Sequence, residues 1–519
     1  MSTPDVSKTT DPARIRNYLA DESAAFHGHA DELFLPETEA EVVDVVRHAN
    51  AAGKRITTSA GGTSITGSRV PVHGGTVLSA ERMVRVEGDA RPGFEAVTSA
   101  GFTIHVDREG RRAVAPPAIP LATLDTILAR HDLCYPPDPT EMSAHLSGTV
   151  ATNASGARSF HYGPTRDWVR RLRVVLPTGE VAELRRGDPA AEGPKLSFKA
   201  DARTVHVPLP APGQYDMPRT KNAAGLYLTR GMEPIDLFIG SEGLLGVVTE
   251  VEIALIDRPA HTLTVVAYFR DRDRALDFVD AGVSDDRPFD YLSLEYFSGT
   301  ALDFMRDAHP DIPAGVAAAV LFELVYAPEP GSPYPPNGLL GALRAELARH
   351  QAACDWSVPS GRREEVRLFR HALPESVNEF VRRHVGKIGT DMAVPHDRFR
   401  EMMDAYERES AATGVRFLIF GHIGDDHVHL NYLPEQEEAA ARAKEAYVRL
   451  ARKAVALGGT ISAEHGVGKK TVPVDGREVP YLLVQYGEAG LRAVARVKTA
   501  LDPNRILNIG NMVPAEMLG

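Results

Sequence analysis

Apolar residues recur along the chain at helical and strand spacing in turn, and the pattern breaks near residue 258. In residues 37–50, Val42, Val43, Val45, Val46 and Ala49 share one face of a helix, with acids early and His48 late. Residues 54–59 read as a short strand that runs into Ala60-Gly61-Gly62-Thr63-Ser64-Ile65-Thr66-Gly67-Ser68. Short strands at 77–78 and 94–97 follow, and residues 121–131 show a helix pattern. Pro136-Pro137-Asp138-Pro139-Thr140 is a stiff extended turn, because proline fixes its own φ and biases its predecessor. A second small-residue segment spans 148–157, and residues 173–181 look like a hairpin. Residues 187–235 are rich in Pro, Gly and charge and read as an insertion or cover loop. Residues 239–251 form a loop or short helix entering a strand.

Beyond the break at Asp257-Arg258-Pro259, strands at 262–269, 291–296 and 316–325 alternate with a helix at 272–281. That order predicts an α+β sandwich. Residues 328–338 are loop, and helices follow at 339–352, 362–382 and 396–412. An apolar strand at 416–420 leads straight into a cluster of histidines. Helices at 435–457 and 487–500 flank a loop around Glu464 and His465. Residues 1–30 read as a ragged, partly helical leader.

At 519 residues the chain needs two or three domains. Its 43% hydrophobic and 25% charged content is that of a soluble globular protein. The net charge of -12 argues against nucleic acid as a partner, since phosphate contacts need clustered Lys and Arg. Two cysteines, Cys134 and Cys354, cannot hold an iron–sulfur cluster and fit a reducing compartment. No apolar run approaches the ~20 residues of a membrane span, and the first residues lack a secretory pattern. A cytoplasmic location is expected, with peripheral attachment at the inner membrane left open.

The densest chemistry lies at 421–431, which holds His422, His427, His429, Asp425 and Asp426, followed by Glu464-His465. Imidazole and carboxylate are the ligands of a borderline divalent metal. A further histidine there is a proton acceptor near neutral pH. Each histidine taken singly also fits an ordinary surface or capped loop. His422 and His429 converge if the segment folds back; His427 and His429 are a rival pair, since i and i+2 share one face of a strand. The 61–68 loop fits a pyrophosphate cradle or a plain tight turn, and it is neither a Walker loop nor Gly-x-Gly-x-x-Gly.

Taken in order, "SAGGTSITGS", "PPDPT", "SGTVATNASGA" with "YGPTRD", and "GSEGLLGVVTEVEI" resemble the FAD-binding half of the vanillyl-alcohol-oxidase/PCMH flavoprotein superfamily. "DMAVP", "GHIGDDHVHLN", "SAEHGVGKK" and "LDPNRILNIGN" resemble the C-terminal half of its D-2-hydroxyacid dehydrogenase branch, which includes D-lactate, glycolate and D-2-hydroxyglutarate dehydrogenases. The resemblance covers roughly residues 31–515 and is more specific for the superfamily than for the substrate. It implies a leader at 1–30, a PCMH-type FAD domain of two α+β subdomains at 31–258, and an α+β substrate domain with an antiparallel sheet at 259–500. Residues 501–519 are then a tail returning to the FAD domain.

Carried over residue by residue, Gly61, Gly62, Thr63, Ser64, Gly67 and Ser68 wrap the FAD pyrophosphate. Pro137, Asp138, Gly148, Thr149, Thr152, Asn153 and Gly156 line the flavin and ribityl chain. Glu242, Gly246, Val247 and Ile253 hold the adenine side, with Asn508 returning from the tail. The first glycine loop has no histidine, so the FAD is expected to be non-covalent. His422, His429 and Glu464 are implied ligands of zinc or a similar divalent ion. The family motif has Gly-Asn where this chain has Asp426-His427, which leaves His427 as an extra ligand or a bystander. His465 is the implied base, or else only orients Glu464. Arg370 and Lys387 are implied to bind the substrate carboxylate, with a helix-face ion pair as the alternative, and Asn431 touches the hydroxyl or carboxylate. Relatives that take 2-hydroxyglutarate carry threonine where this chain has Pro374.

The implied reaction is oxidation of a small D-2-hydroxy acid to the 2-oxo acid, with hydride passing to flavin. The electrons then go to a separate acceptor: a protein, a quinone or oxygen. A redox-neutral enzyme of the ether-lipid synthase type and a flavoprotein subunit of a larger redox complex are the alternatives. A homodimer is compatible with the sequence.

Overall fold

A computed structural model describes residues 4–23, 25–330, 332, 334–355, 363–474 and 476–518. The fold is α+β, as expected. A small sheet near the N-terminus orders Lys8–Thr9, Glu32–Phe34, Thr76–Ser79 and Ile56–Ser59, the last three parallel. Helix Glu39–Ala52 covers it with the predicted valine face. The Thr38 hydroxyl caps the helix start, and Gly53 in the left-handed region (φ 61°) ends it. A six-stranded antiparallel sheet follows, ordered Val181–Arg185, Val169–Val175, Val247–Ala254, Arg112–Ala115, Phe102–Asp107 and Glu95–Ser99.

The second half is built on an eight-stranded antiparallel sheet. Its centre runs Thr262–Phe269, Ala318–Val325, Tyr291–Ser298, Phe417–Gly421 and His427–Tyr432. The Tyr291–Ser298 strand is buried along its whole length, because helices and the FAD-binding half cover its two faces.

Several expectations change. Residues 187–235 are not a bare loop: Lys195–Ala200 and Arg203–Pro208 pair as a hairpin, and Pro234–Phe238 is a helical turn. Leu196, Phe198 and Ala200 alternate inward, but the strand is too short to stand out among the prolines and charges around it. Residues 148–157 begin inside a helix, Leu146–Thr152, although Ser, Gly and Thr are weak helix formers; burial of Leu146 and Val150 overrides propensity. The span Tyr481–Leu501 is broken at Gly487 (φ 64°), so the helix expected from about 487 is preceded by a short helical stretch from Tyr481. The leader is not ragged: Lys8–Thr9 joins the sheet, and Val6, Ile15 and Tyr18 are buried.

Among the contacts that join the halves, two set their spacing. The Glu242 carboxylate, from the first half, accepts from the Val467 and Gly468 backbone N–H groups of the second (2.8 and 3.1 Å) and from the Ser68 hydroxyl (2.7 Å). Gly468 sits at φ 51°, and a Cβ there would lie 2.2 Å from the Thr66 carbonyl oxygen, so only glycine allows that approach. The second tie is the tail. Ile56 N–H donates to Ile506 and Asn508 N–H donates back to Ile56, so the tail runs beside the first sheet. Beneath it the fully buried Lys498 ammonium donates to Asp502 (2.6 Å) and to the carbonyls of Leu244 and Leu507.

Lys498→Met would remove the counter-ion of the Asp502 carboxylate, leaving it only the Ile506 and Leu507 N–H groups, and would take the ammonium donor from two carbonyls. It is expected to cost about 3–5 kcal/mol, read as a lowered urea midpoint with the flavin still counted.

Candidate active site

A cavity of about 1580 Å³ lies between the halves. Pockets for one drug-sized ligand span about 300–1,000 Å³, so there is room for a dinucleotide and a substrate together. The first half supplies small residues and free backbone. Gly61, Gly62, Thr63, Ser64, Ser68, Gly148, Thr149, Thr152, Glu242, Gly246 and Val247 all line the wall. Side chains this small let a ligand approach the main chain closely.

The other residues expected at the cofactor stand behind that wall. The Gly67 N–H donates to Asp21 at 2.6 Å. A Cβ on Gly156 would fall 1.9 Å from the Asp138 carbonyl oxygen, and Pro137 beside it is buried. Asn153 (φ 50°) ends the helix and accepts from Arg166 N–H. Ile253 is in the sheet core. Asn508 accepts from Thr58 N–H and donates to the Gly243 carbonyl. His145, which the motifs did not single out, lines the cavity against Gly61 with its Nδ1 unpartnered.

The opposite wall carries the histidines. Strand Phe417–Gly421 ends at His422, and a tight turn through Asp426 (φ 52°) folds the chain back into strand His427–Tyr432. The fold-back brings His422 and His429 together, with ring centres 5.6 Å apart. Glu464 completes the group, its Oε2 3.4 Å from His422 Nε2 and its Oε1 3.3 Å from His429 Nε2. His422, His429 and Glu464 face the cavity. His427 is fully buried behind them, beside Asp391 at 3.0 Å but misaligned for a hydrogen bond.

The remaining ring nitrogens are held from outside. His422 Nδ1 lies 2.7 Å from Glu295, and His429 Nδ1 lies 3.3 Å from the Thr390 carbonyl. Donor atoms of His422, His427, His429 and Glu464 all fall within 4.8 Å of one another. Two outward-held imidazoles, a carboxylate and an open cavity side fit a borderline divalent ion with one free position.

Burial works against charge on His422, yet Glu295 and Glu464 push its pKa up to about 9. Burial brings His427 down to about 3, helped by Lys221. It also brings His465 down to about 4, against the pull of Asp391 and Glu464. Burial would raise Asp391 and Glu464 as well. His465 and His427 hold Asp391 well below the carboxylate range, and Lys221 and His422 do so for Glu464.

His465 lines the cavity, stacked on His429 at 5.3 Å. Its Nδ1 is 3.3 Å from Asp391, which also accepts from the Ser462 hydroxyl and the His465 N–H. Lys387 and Asn431 reach the cavity, as do Lys470, Tyr447 and Tyr481. The Arg370 side chain lies outside the described residues.

Asp391 stands in the quoted "DMAVP", but nothing local marked it. Lys221 gave no signal either: a single lysine in a charged loop resembles any solvated one. Its ammonium is buried, 3.0 Å from Glu464 and 3.4 Å from Asp425. Burial opposes its charge, but those two carboxylates raise its pKa above the ordinary lysine value.

Comparison with known proteins agrees with this architecture. Residues 30–185 match the family described as FAD binding domain, and residues 258–512 match FAD linked oxidases, C-terminal domain. The glycolate oxidase subunit GlcD of Bacillus subtilis is 26% identical over 95% of this chain and 91% of its own. The D-lactate dehydrogenase of Anaerostipes hadrus is 25% identical, over 96% and 92%. The D-2-hydroxyglutarate dehydrogenase of Xanthomonas citri is 26% identical, over 98% and 94%. Among solved structures, an alkyldihydroxyacetonephosphate synthase superposes with a TM-score of 0.63 at 15% identity, over 96% of this chain and 81% of that one. Fold and motifs together define a two-domain flavoenzyme, an FAD-dependent oxidoreductase. The chain belongs to the FAD-linked oxidases of the vanillyl-alcohol-oxidase/PCMH superfamily.

Gly156→Ala would drive a Cβ into the Asp138 backbone behind the cofactor wall. A cost of about 1–3 kcal/mol and a fall in FAD per chain are expected, measured by denaturation and visible absorbance.

Proposed function

We propose that the protein is an FAD-dependent dehydrogenase that oxidises a D-2-hydroxy acid to the 2-oxo acid. One observation carries the reading: His422, His429 and Glu464 share the cavity wall with His465, opposite the glycine-rich wall of the FAD-binding half. The names of the similar proteins support the substrate class.

When bound, the flavin accepts the hydride from the substrate's α-carbon, and a divalent ion makes the α-hydroxyl more acidic. His422, His429 and Glu464 would hold that ion, and zinc suits the donor set. His465 takes the hydroxyl proton. Asp391 faces its Nδ1, which places the ring proton there and leaves Nε2 to accept. At neutral pH the lowered pKa keeps the ring uncharged and ready.

Lys387 and Asn431, together with Arg370, bind the carboxylate. Phe297, Phe420, Pro374 and Val377 form an apolar stretch of the same wall and favour a substrate with a short apolar side chain. The FAD would be held without a covalent bond, and an acceptor outside the chain would take up the electrons.

Under anaerobic conditions, D-lactate or a close analogue should bleach the flavin's visible band; no bleaching by any 2-hydroxy acid sinks the proposal. Acid precipitation should leave the yellow colour in the supernatant, whereas a yellow pellet would point to His145 or another covalent anchor. His465→Ala should retain FAD and lose about 10²–10⁴-fold in the rate of reduction. A base with a lowered pKa works above that value, so the acid limb of reduction should fall below about 6.5, the ordinary histidine value. Stopped-flow rates across pH read it directly.

A further inference from the structure

Lys221 belongs to residues 186–257, which match neither family. The residues around it tie that segment to the catalytic half. Ala223 N–H donates to the Ser462 carbonyl, the Thr220 hydroxyl to the Val394 carbonyl, and the Thr460 hydroxyl to Asn222. The ammonium thus enters from behind the site and is not part of the cavity wall. Its Nζ is buried, 3.0 Å from Glu464 Oε2 and 3.4 Å from Asp425 Oδ2, and aligned for a hydrogen bond with neither. Asp425 is otherwise held by the Ser159 hydroxyl at 2.7 Å, and Ser155 approaches the same Glu464 oxygen at 3.4 Å.

We propose that Lys221 is a positioning residue that acts through Glu464, a fixed internal cation that shares this carboxylate with the divalent ion. The inference rests on the ligand set proposed above. A carboxylate already shared with an ammonium donates less charge to a second cation, and two cations on one carboxylate repel each other. Both effects have the same sign for binding: Lys221 loosens the ion. Both also leave the ion poorer in electrons, which eases loss of the proton from a hydroxy acid's α-oxygen. Lys221 therefore exchanges metal affinity for acidity at the substrate. A lysine that only braced the fold would do the opposite, and its removal would weaken metal binding and catalysis together.

The test uses the full-length flavin-bound protein, with zinc as the probe ion. Zinc affinity is measured by chelator competition, and flavin reduction by stopped flow with the hydroxy acid that reduces the wild type. K221Q places a neutral polar N–H group beside Glu464, and K221M is the second neutral variant. In whichever retains flavin, zinc should bind at least about tenfold more tightly, while flavin reduction slows by at least about tenfold. K221R should return both towards wild type. Zinc affinity equal to or weaker than wild type in the neutral variants overturns the role of Lys221 alone. A wild-type protein that binds no zinc or other divalent ion at all overturns the ligand set as well.

Discussion

The buried carboxylate of Glu242 is the constraint on which the rest of the architecture depends. It reaches the Ser68 hydroxyl at the end of the cofactor loop and two backbone N–H groups just past Glu464 and His465. A carboxyl group this buried needs donors for its oxygens, so those three partners must be in place together. The glycines at 466 and 468 exist to let the loops meet there: a Cβ on Gly466 would lie 2.8 Å from this same carboxylate. One side chain thus sets the distance between the glycine-rich wall and the wall that carries the histidines.

Charge balance is the second theme. Glu295, Asp391, Asp425 and Glu464 crowd one small volume, with Lys221 and a proton on His422 as the compensating charges. To ligate an ion through Nε2, His422 has to give up that proton, so ion binding and proton release are coupled. Asp391 lies beside both His427 and His465, and from that position it orients the half-buried His465 ring at the cavity edge.

The two-half organisation, the α+β class and the histidine-bearing turn were legible in the sequence because each leaves a local trace. The valine face of Glu39–Ala52 has a period, and the glycine loop and the 421–431 turn have composition. What stayed hidden is non-local. Lys221 and Asp391 join the candidate site only through contacts with chain far away in sequence. Hairpin Lys195–Ala200 and Arg203–Pro208 lies in a stretch whose prolines and charges mask its short alternation. Asn508 returns from the tail to Thr58 and Gly243, and Ile253 lies in the sheet core; which layer each occupies is a distinction that order and spacing do not encode.

The strand-like contact between the tail and Ile56 has a consequence for how the protein is made. The first half of a chain usually folds while the rest is still being synthesised. Here the small sheet beside the glycine loop lacks its neighbour until Ile506, Leu507 and Asn508 have left the ribosome. That edge of the small sheet is therefore closed only after the whole of the second half has been synthesised.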